Sequence, residues 1–287
     1  MRRSLPAALF VAATLASPPI GDAATASKPL DHPVVTVHAN EFAFTAPTSI
    51  AAGTTTFRLV NDGKELHQVS IIQLASGKTL ADFVAAAKAH TPMPWATGVG
   101  GPNAAGPGQT IDATVTLEAG SYVVVCFIPS PGEQMPHMAK GMIRALTVTA
   151  PGAAQAGAPT SYLPESAPDV HLELSDYAFK FSKPLVAGKH TIHVMNTASQ
   201  EHEVVFVKLA PGKTVQEFGA WAENGMKGPP PAEPMAGMAG LGKGRTGTFD
   251  TNLTPGTYGL ICFAPDATDG KSHSAHGMVQ QFTVAAK

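Results

Sequence analysis

Two stretches of this chain carry metal-donor side chains at matching spacings. Cys126-Phe127-Ile128-Pro129 is followed by His137 and Met142, and Cys262-Phe263-Ala264-Pro265 by His273 and Met278. In both, ten residues separate Cys from His and four separate His from Met. Upstream lie Asn61-x5-His67 and Asn196-x5-His202. Each half therefore offers one thiolate, two imidazoles and one thioether. That donor set suits a copper ion that changes oxidation state, with two His and one Cys as strong ligands and Met as a weak axial one. A lone Cys or Met is ordinary core filling. Four donors in one order, twice, are the specific signal.

The donors need elements to hold them. Matched segments recur at an offset of 135 residues, such as Glu41-Phe42-Ala43-Phe44 with Asp176-Tyr177-Ala178-Phe179. The offset becomes 136 from Leu117-x-x-Gly-x-Tyr122 and Leu253-x-x-Gly-x-Tyr258 onward. Between turn signals lie short β-branched runs at 34–38, 54–60, 67–74, 111–117, 122–127 and 142–149. The second half has them at 170–174, 190–195, 204–209, 246–253, 258–263 and 278–284. This spacing predicts an all-β chain of two tandem Greek-key β-sandwiches. Helices are expected at 79–89 and 214–223, anchored by Phe83 and Phe218. The Gly/Pro-rich stretches 92–108 and 225–244 read as long loops over one end of each sandwich. Cys126 would end one strand and Met142 open the next, so the connecting loop brings His137 to the same pole. Residues 27–150 and 170–287 are the expected domains, joined by an Ala/Pro/Ser-rich linker at 151–169.

Both halves resemble the cupredoxins, the blue (type 1) copper family. The likeness rests on N-x5-H before a strand, an aromatic-containing strand entering Cys, and H-x4-M after it, and covers about 115 residues of each half. It implies cupredoxin-like domains and two type 1-like copper sites. The implied ligands are His67, Cys126, His137 and Met142, then His202, Cys262, His273 and Met278. It further implies that His137 and His273 face solvent as electron ports. Two departures stand out: the Cys-to-His gap exceeds that of the small single-domain carriers, and Gln68 or Glu203 follows the first His where the family often has an Asn that braces the Cys loop.

Tandem members of that family include copper nitrite reductases, which place a His beside the type 1 Cys to reach a catalytic copper. Here Val125 and Phe127 flank Cys126, and Ile261 and Phe263 flank Cys262. There is also no His-x-His pair of the oxidase kind, no phosphate loop and no nucleophile elbow. The expectation is therefore a protein that is not an enzyme: an electron carrier between redox protein partners, or, as an alternative, a copper chaperone or storage protein. Met226, Met235 and Met238 on the second glycine-rich stretch read as an apolar cap that could also load Cu(I). His276 reads as a solvated loop residue, Trp95 and Trp221 as loop anchors. His32, His38, His90, His171, His190 and His193 read as surface residues.

Composition bounds the rest. The net charge of −2 gives no electrostatic footprint for nucleic acid. Met1-Arg2-Arg3, an apolar run from Leu5 to Ala16 and then small residues read as a signal peptide over 1–26. That predicts a periplasmic or secreted protein with no membrane span in its mature chain. Export would favour disulfides, yet the two Cys occupy equivalent places of the two halves, which fits ligation better than pairing.

Overall fold

The structure, a computed structural model, describes Met1 and residues 31–151, 161–164 and 166–286. The expected signal peptide, apart from Met1, and most of the linker lie outside the described residues. The first half supplies β1 (Asp31–Asn40), β2 (Ala43–Thr45), β3 (Ser49–Ala51), β4 (Gly53–Asn61), β5 (Ser70–Leu74), α1 (Leu80–Lys88), β6 (Ala96–Gly100), β7 (Thr110–Leu117), β8 (Gly120–Val125) and β9 (Ile143–Thr149). The second supplies β10 (Tyr162–Pro164), β11 (Val170–Ser175), β12 (Ala178–Phe181), β13 (Gly188–Asn196), β14 (His202–Leu209), α2 (Val215–Glu223), β15 (Ala232–Leu241), β16 (Thr246–Leu253), β17 (Gly256–Ile261) and β18 (Val279–Val284).

The strands alternate buried and exposed residues as a two-layer sandwich requires. In β7, Ile111, Ala113, Val115 and Leu117 face inward while Thr110 and Thr116 face out. Each half is a cupredoxin-like sandwich. Its outer sheet carries a parallel pair, β1 with β4 and β11 with β13. The Leu-x-x-Gly-x-Tyr motif closes a corner: the buried Tyr122 hydroxyl donates to the Glu118 carbonyl at 2.8 Å, and Tyr258 does the same to Thr254 at 2.7 Å. Both helices start with a capping box, Thr79 with Asp82 and Thr214 with Glu217, and bury the expected Phe83 and Phe218.

The two halves share their sheets. One sheet runs β10-β1-β4-β7-β16-β13-β11-β12, and the other β18-β17-β14-β15-β6-β5-β8-β9-β3. The seams are β7 against β16 and β6 against β15. The glycine-rich stretches read as loops therefore contribute strands at the junction. Their glycines concealed this, because a strand is recognised by its side chains. The glycines are there because backbones meet closely: Gly101, at φ +128°, lies so near the Val69 carbonyl that a Cβ would strike it. Met238, read as part of a flexible cap, is fully buried, and its sulfur accepts from Gly101 N–H at 3.5 Å. Inside the stretch read as linker, Tyr162–Pro164 pairs antiparallel with Asp31–Pro33.

Candidate metal centre

The Cys-to-Met loop is built identically in both halves. Cys126 N–H donates to the Met142 carbonyl at 3.1 Å, and Met142 N–H to the His137 carbonyl at 3.0 Å. His137 N–H reaches Ile128, and Met138 N–H reaches Cys126, both at 2.9 Å. The second loop repeats this: Cys262 to Met278 at 3.2 Å, Met278 to His273 at 2.9 Å, and His273 to Ala264 at 2.9 Å. A 3-10 turn presents each His, ended by Gly141 and Gly277 at φ +113° and +92°. Only glycine holds that left-handed conformation at low cost.

The first His of each set is fixed by the Asn five residues before it. Buried Asn61 donates its side-chain N–H groups to the carbonyls of Glu65 (2.8 Å) and Ala105 (2.9 Å), and His67 exchanges backbone bonds with the same Ala105. Asn196 likewise reaches Gln200 (2.8 Å) and Leu241 (2.6 Å), and His202 pairs with Leu241.

These frames bring His67, Cys126 and His137 together, and His202, Cys262 and His273, each set with its donor atoms within 4.8 Å of one another. All six side chains are fully buried, as are Met142 and Met278. His67 Nδ1 lies 3.2 Å from His137 Nδ1, which lies 3.5 Å from Cys126 Sγ. Cys262 Sγ lies 3.5 Å from His273 Nδ1 and 3.9 Å from His202 Nδ1. Both cysteines are free thiols.

The far nitrogens face acids. His67 Nε2 lies 3.4 Å from Glu41, His137 Nε2 2.9 Å from Glu65, and His202 Nε2 3.2 Å from Asp176. His273 Nε2 has Asp266 at 3.8 Å and no hydrogen bond. A carboxylate holds the ring proton on Nε2, so the Nδ1 lone pairs of His67 and His137 point at each other. Burial lowers the pKa of all four imidazoles. It pushes the Cys126 thiol up to about 12 and Cys262 up as well. In the first set the two Nδ1 lone pairs face each other beside a protonated thiol. A bound cation would relieve that repulsion and make the thiolate the stable form.

The distances suit such an ion. Bonds of about 2.0 Å to nitrogen and about 2.3 Å to sulfur at tetrahedral angles separate N from N by about 3.3 Å and N from S by about 3.5 Å. The His67–His137 and His137–Cys126 distances match those values; in the second set His273 matches, and His202 stands a few tenths of an ångström farther from Cys262 Sγ.

Two expectations change. His137 and His273 are not at the surface: the Phe42 ring lies 5.0 Å from His137 and Tyr177 lies 5.5 Å from His273, centroid to centroid. One hairpin tip in each half thus covers the set, its acid (Glu41 or Asp176) on the first His and the next residue, aromatic, over the second. The bracing expected from an Asn is supplied differently. Gln68 and Glu203 donate backbone N–H groups to the two cysteine sulfurs. The buried Glu203 carboxylate also accepts from Phe263 N–H at 3.1 Å and, across the junction, from Asn103 Nδ2 at 3.0 Å. Sequence reasoning missed Glu41, Glu65, Asp176 and Asn103. The only signal was the matched Glu-Phe and Asp-Tyr of the repeat.

The remaining candidates settle elsewhere. His276 pairs with Asp269 at 3.2 Å beside Asp266. The Asp266 carboxylate is already filled: it accepts from the Tyr177 hydroxyl, Thr268 N–H and Gln200, which hold it well below the usual carboxylate range. His190 is buried against Asp169 (2.8 Å), His38 pairs with Asp62 (2.7 Å), and Trp95 and Trp221 pack on Phe83 and Phe218.

Neither a family model nor a curated protein matches the chain. Solved structures do. Auracyanin from Roseiflexus castenholzii is 29% identical over 40% of this chain and 95% of its own, with a TM-score of 0.29. Auracyanin A from Chloroflexus aurantiacus, a "blue" copper protein, is 22% identical over 40% of this chain and 99% of its own, at 0.28. Copper nitrite reductase from Nitrosomonas europaea is 15% identical over 88% of this chain and 94% of its own, at 0.24. The tandem fold is cupredoxin-like.

The expectation that the chain is not an enzyme does not stand. Structures matched across both halves include copper nitrite reductase and a multicopper oxidase. Those neighbours are enzymes by name, so missing His neighbours of Cys126 and Cys262 are no ground for excluding catalysis.

Proposed function

We propose that this chain is an exported copper protein with two type 1-like sites that pass single electrons between redox partners. The ligands are His67, Cys126, His137 and Met142 in one site, and His202, Cys262, His273 and Met278 in the other. The supporting observation is the pair of buried His-Cys-His sets whose Nδ1 and Sγ atoms converge at metal-bond spacings. Bound copper would supply a one-electron couple. The chain supplies the rest. Glu41, Glu65 and Asp176 keep the ring protons on Nε2 and leave Nδ1 free to bind. Backbone bonds between Cys, His and Met hold the loop still, so little reorganisation accompanies a change of charge. Phe42 and Tyr177 exclude water, which strengthens every electrostatic interaction inside. Export rests on the N-terminal pattern, and no helix among the described residues is long and apolar enough to cross a membrane.

Burial of Met238 at the junction weighs against a chaperone that offers open thioethers to Cu(I). The test is copper loading of the full chain with visible absorption and voltammetry. An intense visible band and a reversible one-electron wave support the reading. Tight binding of colourless Cu(I) without a reversible wave refutes it.

A further inference from the structure

Two more imidazoles converge where nothing above uses them. His171 on β11 and His193 on β13 are register partners in a parallel pair. Register partners on neighbouring strands send side chains to the same face. Leu172, Leu174, Ile192 and Val194 point into the core, so His171 and His193 stand on the outer face. Their Nδ1 atoms are 3.4 Å apart, with ring planes crossed at 75°. Bonds of about 2.0 Å to one ion place two nitrogens about 3.3 Å apart at a tetrahedral angle and about 2.8 Å apart at the right angle that Cu(II) prefers, so a small rotation of the exposed His171 ring closes the pair on copper. The backbones are fixed by ladder hydrogen bonds, so the two side chains leave the sheet at neighbouring points before any ion arrives. Only side-chain rotation is left to order, which favours chelation over binding by either ring alone.

The surroundings allow it. His171 is exposed and His193 half-buried. Across β16, His193 faces Thr248, and Ser182 lies beside His171, so neutral groups flank both rings. Glu173, two residues along the same face, is engaged by Thr197, and the nearest acid of β16, Asp250, by Thr191. His193 also borders a groove of about 350 Å³, which leaves room for water on the open side of an ion. The matched positions of the first half are Thr36 and Arg58, which offer no ligand.

We propose that His171 and His193 form a separate metal site, a two-imidazole clamp on the outer sheet face that takes one divalent copper ion, completed by water. Imidazole pairs suit Cu(II) and Zn(II), and of these Cu(II) binds the more tightly at a given nitrogen site. The site depends on neither buried set, so it stands or falls apart from the reading given above.

The test is titration of the untagged full chain with Cu(II) after the buried sets have been offered copper, followed by electron paramagnetic resonance and calorimetry. Wild type should take up one further ion with the signal of a nitrogen-ligated, water-bearing Cu(II). His171→Ala and His193→Ala should each weaken that ion at least tenfold, because losing one arm destroys the chelate. His190→Ala, on the same strand but engaged by Asp169, should leave it unchanged. Circular dichroism of each variant confirms the fold. An extra ion held equally by wild type, H171A and H193A is adventitious and overturns the proposal, as does the absence of any extra ion or a loss in one of the two variants alone.

Discussion

Replacing Glu203 by Gln should make the metal-free protein more stable at neutral pH, with the gain vanishing in acid. The Glu203 carboxyl lies at the junction, adjacent to Cys262, and accepts from Phe263 N–H and Asn103 Nδ2. Burial outweighs those bonds and raises its pKa from 4.5 to about 7. Below pH 4.5 the carboxyl is protonated in both folded and unfolded chains, and it costs nothing. Between 4.5 and about 7 the unfolded chain releases the proton and the folded chain keeps it, so stability falls as pH rises. Above about 7 both are ionised and the loss is complete. Two and a half pH units at about 1.4 kcal/mol each give a loss of roughly 3 kcal/mol. Gln keeps the shape and the Phe263 acceptor. The Asn103 amide can turn its unpartnered Oδ1 toward the new N–H group, giving up its contacts to the Val204 and Met238 carbonyls, a cost that is the same at every pH. The assay is urea unfolding of both proteins from pH 4.5 to 8.5. The difference between them should grow by roughly 3 kcal/mol in favour of E203Q. Parallel curves across that range refute the reasoning.

Further consequences concern the first set and the junction. Glu65→Gln removes the anion that accepts from His137 Nε2 and favours the more positive oxidised state; in a Cys262→Ala background, a shift of about 1 kcal/mol is expected, roughly 40 mV upward by voltammetry, an order-of-magnitude figure from charged hydrogen-bond strengths. An unchanged potential would show that the pair is incidental. Gly101→Ala places a Cβ against the Val69 carbonyl at φ +128°, where only glycine is comfortable. It should cost about 2 kcal/mol or more in unfolding measurements, whereas Gly212→Ala, in an open turn at φ +75°, costs less.

Much of this was legible because the repeat fixes which positions matter. Side chains that recur across both halves are those that end strands, close the tyrosine corners or converge at the Cys-to-Met loops. Strands with β-branched residues, such as Ile111 to Leu117, announce themselves through alternation. Ala96–Gly100 and much of Ala232–Leu241 do not, because their glycines leave no pattern, although their backbones join the two halves. The acids over the imidazoles were illegible for another reason. Glu41 lies 26 residues before His67, and Asp176 the same distance before His202, so only folding brings them together. Burial of His137 and His273 follows from the aromatic residues beside those acids. The convergence of His171 and His193 depends on the parallel register of β11 and β13, which hydrophobic pattern alone does not specify.

The central claim is that each half holds one copper ion through a Cys-centred set. The most direct measurement is copper stoichiometry and visible absorption of wild type, Cys126→Ala and Cys262→Ala after loading and removal of loosely held metal. Two tightly held ions in wild type, one in each variant, with each substitution deleting its own part of the thiolate-to-copper band, is the predicted result. A copper content and a spectrum that neither substitution changes would contradict it.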